Sequence, residues 1–284
     1  MSIELARKYA PKTDELFKAE SKLSLLTNTD YDWTGARSVS VWKISTVEMS
    51  DYSRNRSASD YEESEASLSR FGKLIDLDAQ TEEMLLTKDR SFIFNIDRLD
   101  QDETANQLAA DSALARQIRE VVIPEVDTYT YAKMVSRAGT IAQAAALTAE
   151  NIYDAIVTGT ETLDNEEVPD TERALVVTPA TYRIMKKSPD IVLDCDVSAE
   201  LRAKGVVGMV DGMNVVKVPA IRLPEGFGFM IAHPAATTAP VKLEDYGIHE
   251  NTALSSGTIV TGRICYDAFV LDNKRVGIYY HPVA

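Results

Sequence analysis

The residue types that most often perform catalysis or bind metals are scarce in this sequence. It contains three histidines, His233, His249 and His281, and two cysteines, Cys195 and Cys265. No two of the histidines have the spacing of a metal-binding pair, and neither cysteine belongs to a C-x-x-C motif. We therefore expect surface or strand-end histidines and structural thiols in a reducing compartment, with no metal and no cofactor.

Two glycine pairs superficially resemble nucleotide-binding loops: Gly205 with Gly208, and Gly226 with Gly228. Neither pair is followed by the Lys-Ser/Thr sequence or the third glycine that a phosphate-binding loop requires. Turns are the favoured interpretation of both. The chain also lacks a G-x-S-x-G motif, the turn that presents the nucleophilic serine of many hydrolases.

An acidic cluster lies within a polar stretch that runs from Met49 to Ser69. Its carboxylates are Asp60, Glu62, Glu63 and Glu65. They lack the alternating spacing and the turn glycine of a calcium-binding loop, and a run of this kind is typical of a solvated surface. No set of residues in the chain identifies a catalytic site, and we predict that the protein is not an enzyme.

The composition excludes further classes. Among 284 residues there are 30 basic and 44 acidic side chains, which gives a net charge of −14. Tight binding of nucleic acid needs clustered Lys and Arg, so the acidic balance argues against it. The hydrophobic fraction of 45% is ordinary for a globular protein, yet no apolar run approaches the roughly 20 residues that span a bilayer. We expect a globular protein that contacts no membrane.

Two of the predicted elements, an arm and a hairpin, cannot bury their apolar side chains by themselves. Residues 1–30 are amphipathic but too short and polar to form a domain, so we interpret them as an arm that lies on something else. Residues 31–97 contain strand patterns on both sides of the charged stretch, which predicts an extended hairpin. A lone hairpin is marginal in water, so it must dock on a partner or remain mobile. Phe92 and Asp97, at its expected base, are candidate hinge residues.

Residues 98–139 predict a long helix, with Asp100 as its N-cap and apolar residues at helical spacing. Pro124 lies inside this pattern. Because proline removes one backbone donor and crowds the preceding turn, we expect a kink or two abutting helices there. Pro124 is therefore a third candidate hinge.

Residues 140–235 mix helix and strand. Thr148 is the expected N-cap of a helix, Ala174–Val177 reads as a buried strand, and Thr178-Pro179 has the signature of a helix start. Strand patterns dominate from residue 206 onward. Within residues 236–284 we expect two long strands to pair through a turn at Asp272–Lys274.

Taken in order, these parts resemble the major capsid proteins of tailed bacteriophages of the Hong Kong 97 type. The resemblance covers nearly the whole chain. The segments that carry it are Phe92–Asp97, Val122–Asp127, Ala174–Pro179, Val207–Val216 and Gly262–Leu271. It implies an α+β fold with an N-terminal arm (1–30), an extended β-hairpin E-loop (31–97), a peripheral-domain spine helix (98–139), a central A-domain (140–235) and peripheral-domain return strands (236–284).

The same resemblance implies a coat protein that self-assembles into the pentamers and hexamers of an icosahedral shell around double-stranded DNA. The partners are then copies of the chain itself, a portal protein and a separate scaffolding protein, and the DNA is enclosed without sequence-specific binding. The location is the virion, after assembly in the host cytoplasm. As contact residues on the hairpin we predict five charged side chains: Arg54, Arg56, Glu62, Glu63 and Arg70.

Three other readings stay open. An encapsulin-like shell has the same fold and holds a protein cargo. A tail or connector component of a phage would form rings or tubes. An acidic cytosolic enzyme with an unrecognised site would be a monomer.

Overall fold

The computed structural model describes most of the 284-residue chain. The described residues are 21–33, 38–44, 46–52, 54, 70–71, 76, 79–98, 110–191, 205–250 and 256–284. The chain divides into two compact units. The main unit comprises Met1–Thr34 and Leu86–Ala284, and the hairpin unit comprises Gly35–Leu85.

Helices and strands alternate irregularly along the described part of the chain. The strands are β1 (Ser38–Ile44), β2 (Ala79–Leu85), β3 (Lys88–Ile96), β4 (Thr140–Ile141), β5 (Ala174–Val177), β6 (Val206–Val210), β7 (Met213–Lys217), β8 (Phe227–Ala232), β9 (Thr237–Thr238), β10 (Val241–Glu250), β11 (Thr258–Tyr266), β12 (Phe269–Val270) and β13 (Ile278–Pro282). The helices are α1 (Ala110–Gln117), α2 (Ile123–Ser136), α3 (Ile152–Asn165) and α4 (Pro179–Met185). A π-helical turn, Ile118–Val122, joins α1 to α2.

That π-helical turn is how the helix accommodates Pro124. The Ile123 N–H donates to the carbonyl of Ile118, five residues earlier, and Pro124 follows within the first turn of α2. Wider turns of this type insert one residue into the hydrogen-bond ladder, and a proline at the start of a helical segment loses no bond it would otherwise make. The sequence predicts a kink or two abutting helices at Pro124, and the structure has a π-helical turn directly before it; the hinge role of Pro124 stays a prediction. The expected cap, Asp100, lies outside the described residues.

A six-stranded sheet forms the centre of the main unit, in the order β4-β13-β8-β5-β7-β6. All four residues of β5 are buried. Ala174 and Val176 point into one hydrophobic cluster, while Leu175 and Val177 point into another. Since side chains alternate between the faces of a strand, both faces of this sheet are covered, by α2 on one side and by α3 and α4 on the other.

Two predictions for this region are confirmed and two are wrong. Ala174–Val177 is a buried strand, and the Thr178 hydroxyl caps α4 by accepting from the Thr181 N–H at 3.0 Å. The helix expected from Thr148 begins later, since Asn151 is the N-cap and its side chain accepts from the Thr148 N–H at 2.8 Å. The two late strands do not pair through Asp272–Lys274.

The C-terminal strand enters the central sheet instead. β13 pairs with β8 and β4, whereas β11 pairs with β10 and β3. The expected boundary at residue 235 therefore does not separate two sheets, since β13 from the final segment lies beside β8 from the preceding one.

β3 explains why the hairpin unit ends earlier than expected. It pairs with β11 along its whole length, from Lys88 opposite Tyr266 to Ile96 opposite Thr258. The hairpin unit consequently stops at Leu85 rather than at residue 97. Phe92 lies inside β3 and Asp97 directly after it, so neither is at the boundary between the units; their hinge role stays a prediction.

The described part of the arm, residues 21–30, packs on its own unit. Leu23 and Leu26 are buried in the same hydrophobic cluster as Tyr131 and Met134 of α2. The sequence predicts an arm that lies on something else, and for these residues that surface belongs to the same chain. Residues 1–20 lie outside the described part.

Candidate interaction surfaces

The hairpin unit presents apolar side chains to solvent. β1 and β2 pair antiparallel, with Trp42 opposite Thr81 and Ile44 opposite Ala79. Trp42 is 67% exposed and Ile44 is 64% exposed. A two-stranded ribbon has no second layer to cover such residues, and grouped exposed apolar side chains mark interaction surfaces. We call Trp42, Ile44 and Leu85 the ribbon face.

The chain beyond β1 adds more exposed apolar surface. Met49 is fully exposed, and Phe71 is 79% exposed. The rings of Tyr52 and Phe71 meet edge to face at 5.1 Å, and the Ser50 hydroxyl donates to the Phe71 carbonyl at 2.6 Å. These contacts order the segment locally and leave its apolar atoms in water.

Two of the five predicted contact charges can be located. Arg54 and Arg70 are exposed, whereas Arg56, Glu62 and Glu63 lie outside the described residues. The apolar ribbon face was missed because the contact residues were predicted among charged side chains only. The signal was present, however, since Trp42 and Ile44 occupy alternate positions on the strand.

A groove of about 870 Å³ lies on the main unit between α2, β3 and the turn Ala220–Arg222. Ile221 stands on it with 84% of its surface exposed. The Arg90 guanidinium pairs with the Glu125 carboxylate at 2.7 Å, and the Tyr266 hydroxyl donates to the same carboxylate oxygen at 3.2 Å. The Lys88 ammonium lies 5.0 Å from the centre of the Tyr129 ring.

The two tyrosines of this groove are held as neutral hydrogen-bond donors. Burial, together with the hydrogen bond to Asp267, raises the pKa of Tyr129 to about 12. Burial is also the main reason that the pKa of Tyr266 is raised, with the Glu125 charge second. The groove therefore combines fixed phenols, cations and an exposed isoleucine, which suits a polypeptide segment better than a reacting substrate.

A buried ion pair fixes the arm beside this groove. Asp127 of α2 accepts from Arg222 at 2.6 Å and from the Ser21 hydroxyl at 2.7 Å, and both charged side chains are almost fully buried. Burial raises the pKa of Asp127, against the opposing effects of Ser21 and Arg222. The Lys22 ammonium donates to the Lys217 carbonyl at 2.7 Å.

The histidines and glycines singled out from the sequence have structural surroundings. His233 accepts from the Ala235 N–H at 3.1 Å, and buried His281 stacks on Phe229 at 5.0 Å. His249 lies 3.2 Å from the Thr261 hydroxyl. Gly205 and Gly226 have φ of +89° and +70°, so the prediction of turn glycines is confirmed for them; Gly208 and Gly228 lie within β6 and β8.

The described residues offer no other chemistry. Cys265 is a free, partly buried thiol, and Cys195 lies outside the described part. Among the described residues no three His, Cys, Asp or Glu side chains group as a metal site would require. In the same part of the chain, no helix combines the length and apolarity needed to cross a membrane.

Comparison with known proteins gives a structural answer only. No protein-family model matches the chain, and no curated protein does. A solved structure from Mycobacterium phage Che8 matches over 99% of this chain and 98% of its own, with a TM-score of 0.75 and 17% identity.

Two further matches are described as capsids. The capsid of cyanophage P-SCSP1u matches 99% of this chain and 93% of its own, with a TM-score of 0.72 and 15% identity. The mature capsid of bacteriophage PhiM1 matches 99% of this chain and 92% of its own, with a TM-score of 0.70 and 14% identity. These matches cover nearly the whole of this chain and of each matched chain, so this chain has the fold of the major capsid proteins of tailed bacteriophages.

Proposed function

We propose that this protein is the major capsid protein of a tailed bacteriophage, which assembles with copies of itself into the pentamers and hexamers of an icosahedral shell. The observation that carries the proposal is the ribbon face of the hairpin unit, where Trp42 and Ile44 are about two-thirds exposed. Burial of such exposed apolar side chains against another surface lowers the free energy and so favours association.

The groove on the main unit is the surface we assign to receive a neighbour's hairpin. Its exposed Ile221 offers apolar contact, and Lys88 and Arg90 offer positive charge at its edge. The hairpin segment is rich in carboxylates, and the chain as a whole carries −14. Opposite charges of this kind orient two molecules as they meet and speed their association more than they raise the affinity. Arg54, Arg56, Glu62, Glu63 and Arg70 remain proposed contact residues.

The proposed cargo is double-stranded DNA, held without sequence-specific contacts. An acidic protein does not grip a polyanion tightly, which suits a container that must be filled and emptied. Portal and scaffolding proteins are the further partners we propose, the virion is the proposed location, and host cytoplasm is the proposed place of assembly. No catalytic role is assigned to the chain.

The test is assembly of the purified chain, followed by sedimentation and negative-stain microscopy. Closed shells that contain nucleic acid after expression with the packaging partners support the proposal. Rings or tubes would indicate a tail or connector component, and shells filled with an enzyme would indicate an encapsulin-like compartment. A monomer at every concentration and salt would overturn the proposal altogether.

The ribbon face itself is tested by the double substitution Trp42→Asp and Ile44→Asp. We expect it to abolish large particles while the urea midpoint of the unassembled chain stays close to that of the wild type. Glu83→Gln, on the same side of the ribbon as Trp42, is the matched control and should assemble normally. Assembly of the double variant at wild-type yield would contradict the role of the ribbon face.

A further inference from the structure

Both ends of the hairpin unit continue into residues that are held by one short segment of the main unit. Trp33 precedes the hairpin unit and Thr87 follows it. Trp33 contacts Phe269, the first residue of β12, and Thr87 contacts Asp267, which together with Ala268 connects β11 to β12. We call these three residues the root segment.

The preceding end is held by an aromatic stack. The Trp33 ring lies parallel to the Phe269 ring, with an interplanar angle of 10° and 5.5 Å between ring centres. Trp33 is only 8% exposed. The Phe269 ring is half-buried, and ring stacking adds specific geometry to the apolar burial of Trp33, so Phe269 orients the Trp33 ring.

The following end is held by a buried carboxylate. One oxygen of Asp267 accepts from the Thr87 N–H at 2.9 Å and from the Thr87 hydroxyl at 2.7 Å. The other oxygen accepts from the Tyr129 hydroxyl at 2.8 Å and from the Ala268 N–H at 2.8 Å. Asp267 is 3% exposed, and a carboxylate buried to that extent depends on such donors.

Tyr129 links this carboxylate to the long helix. It lies in α2, after the π-helical turn and Pro124, and its ring meets Tyr266 edge to face at 5.7 Å. Tyr266 in turn donates to Glu125 of the same helix. A movement of α2 would therefore reach Asp267 through the Tyr129 hydroxyl.

We infer that the root segment is a conformational lock. Asp267 and Phe269 hold Thr87 and Trp33, the main-unit residues that flank the hairpin unit, and Asp267 couples Thr87 to α2 through Tyr129. The role of the lock in assembly rests on the proposed function, because a hairpin that serves several positions in a shell must be held in more than one orientation.

Amide hydrogen exchange of the unassembled chain tests the lock directly. In Asp267→Asn the side chain keeps a single acceptor oxygen, so it cannot serve the donors on both sides. We expect exchange of the Thr87 amide to accelerate about tenfold or more, while the Leu175 amide in the central sheet is unchanged. Unchanged exchange at Thr87, or equal acceleration at Thr87 and Leu175, would overturn the inference.

A milder pair of variants removes one hydroxyl at a time. Tyr129→Phe deletes the hydroxyl that donates to Asp267 from α2. Tyr280→Phe deletes a hydroxyl of β13 that donates to the Gly226 carbonyl in the turn before β8. The chain has two tryptophans, so Trp33→Phe keeps a ring against Phe269 and leaves Trp42 as the sole tryptophan, which can be excited selectively. In that background, nanosecond depolarisation of Trp42 should grow in Tyr129→Phe and not in Tyr280→Phe. Equal depolarisation in both would refute the coupling to α2.

These measurements separate the lock from the proposed function. If the root opens as expected but the wild-type chain never forms shells, the lock stands and the proposed function fails. If shells form normally and neither Thr87 nor Trp42 responds to any variant, the proposed function stands and the lock fails.

Discussion

The hairpin unit and the central sheet are both built from strands, but their strands are covered in opposite ways. β5 is buried on both faces, whereas β1 exposes Trp42 and Ile44. A strand covered on both faces draws its stability from within the chain, and an uncovered strand is available to another molecule. The difference separates strands that are covered from within the chain from strands whose apolar side chains are left in water.

The largest expected effect is the difference in unfolding free energy between truncating a buried side chain of the central sheet and truncating an exposed one of the hairpin unit. Leu175→Ala removes a fully buried leucine from the central sheet and should cost about 3 kcal/mol of unfolding free energy. Ile44→Ala, on the ribbon face, should change it by less than about 0.5 kcal/mol. Urea unfolding of the unassembled chain measures both, and similar losses would show that the hairpin is covered from within the chain.

The sequence predicts local structure in this molecule much better than strand partners. Four consecutive apolar residues, Ala174–Val177, predict a strand with two covered faces, and Thr178-Pro179 predicts the helix that follows. The alternation Phe92, Phe94, Ile96 predicts β3 but not its partner, because an alternating strand has the same pattern beside β2 or beside β11. Long-range pairing therefore decided where the hairpin unit ends.

The candidate surfaces were predicted only in part, for a similar reason. Charged hairpin residues such as Arg54 and Arg70 stand out in the sequence as solvated and available. Asp127 and Asp267 do not, because carboxylates are usually exposed and their partners, Arg222 and Thr87, are far away in the chain. Only the fold brings these groups together.

The arm belongs with the covered part of the molecule. Like the hairpin, residues 21–30 were expected to need a surface outside their own fold, but they pack on the main unit. Gly205 has φ +89°, and a Cβ there would lie 2.6 Å from the Lys22 side chain. We expect Gly205→Ala to lower the unfolding free energy by about 1–2 kcal/mol through backbone strain alone, and by more because Lys22 is displaced.

Gly212 provides the matched control for that substitution. It has φ +77°, yet a Cβ there would meet no atom within 4 Å, so Gly212→Ala carries the strain without the displacement. The excess loss in Gly205→Ala over Gly212→Ala should vanish when Lys22→Ala is added to both. An excess that persists would mean that Lys22 does not hold the arm at Gly205.

The smallest expected effect concerns the Asp127 carboxyl group, which the arm contacts through Ser21, and the sign of the effect follows from the pKa of Asp127. Burial raises that pKa in the folded chain, so folding favours the protonated acid, and the stability from this group is present at low pH and lost as the pH rises through the folded pKa. Asp127→Asn cannot ionise, so the difference in unfolding free energy, wild type minus variant, should shrink as the pH is raised from below the usual Asp pKa toward neutrality. Paired urea titrations at each pH cancel the other acids of the chain. If the difference grew instead, the attraction of Arg222 would outweigh burial, and the arm would be held by charge more than by the packing of Leu23 and Leu26.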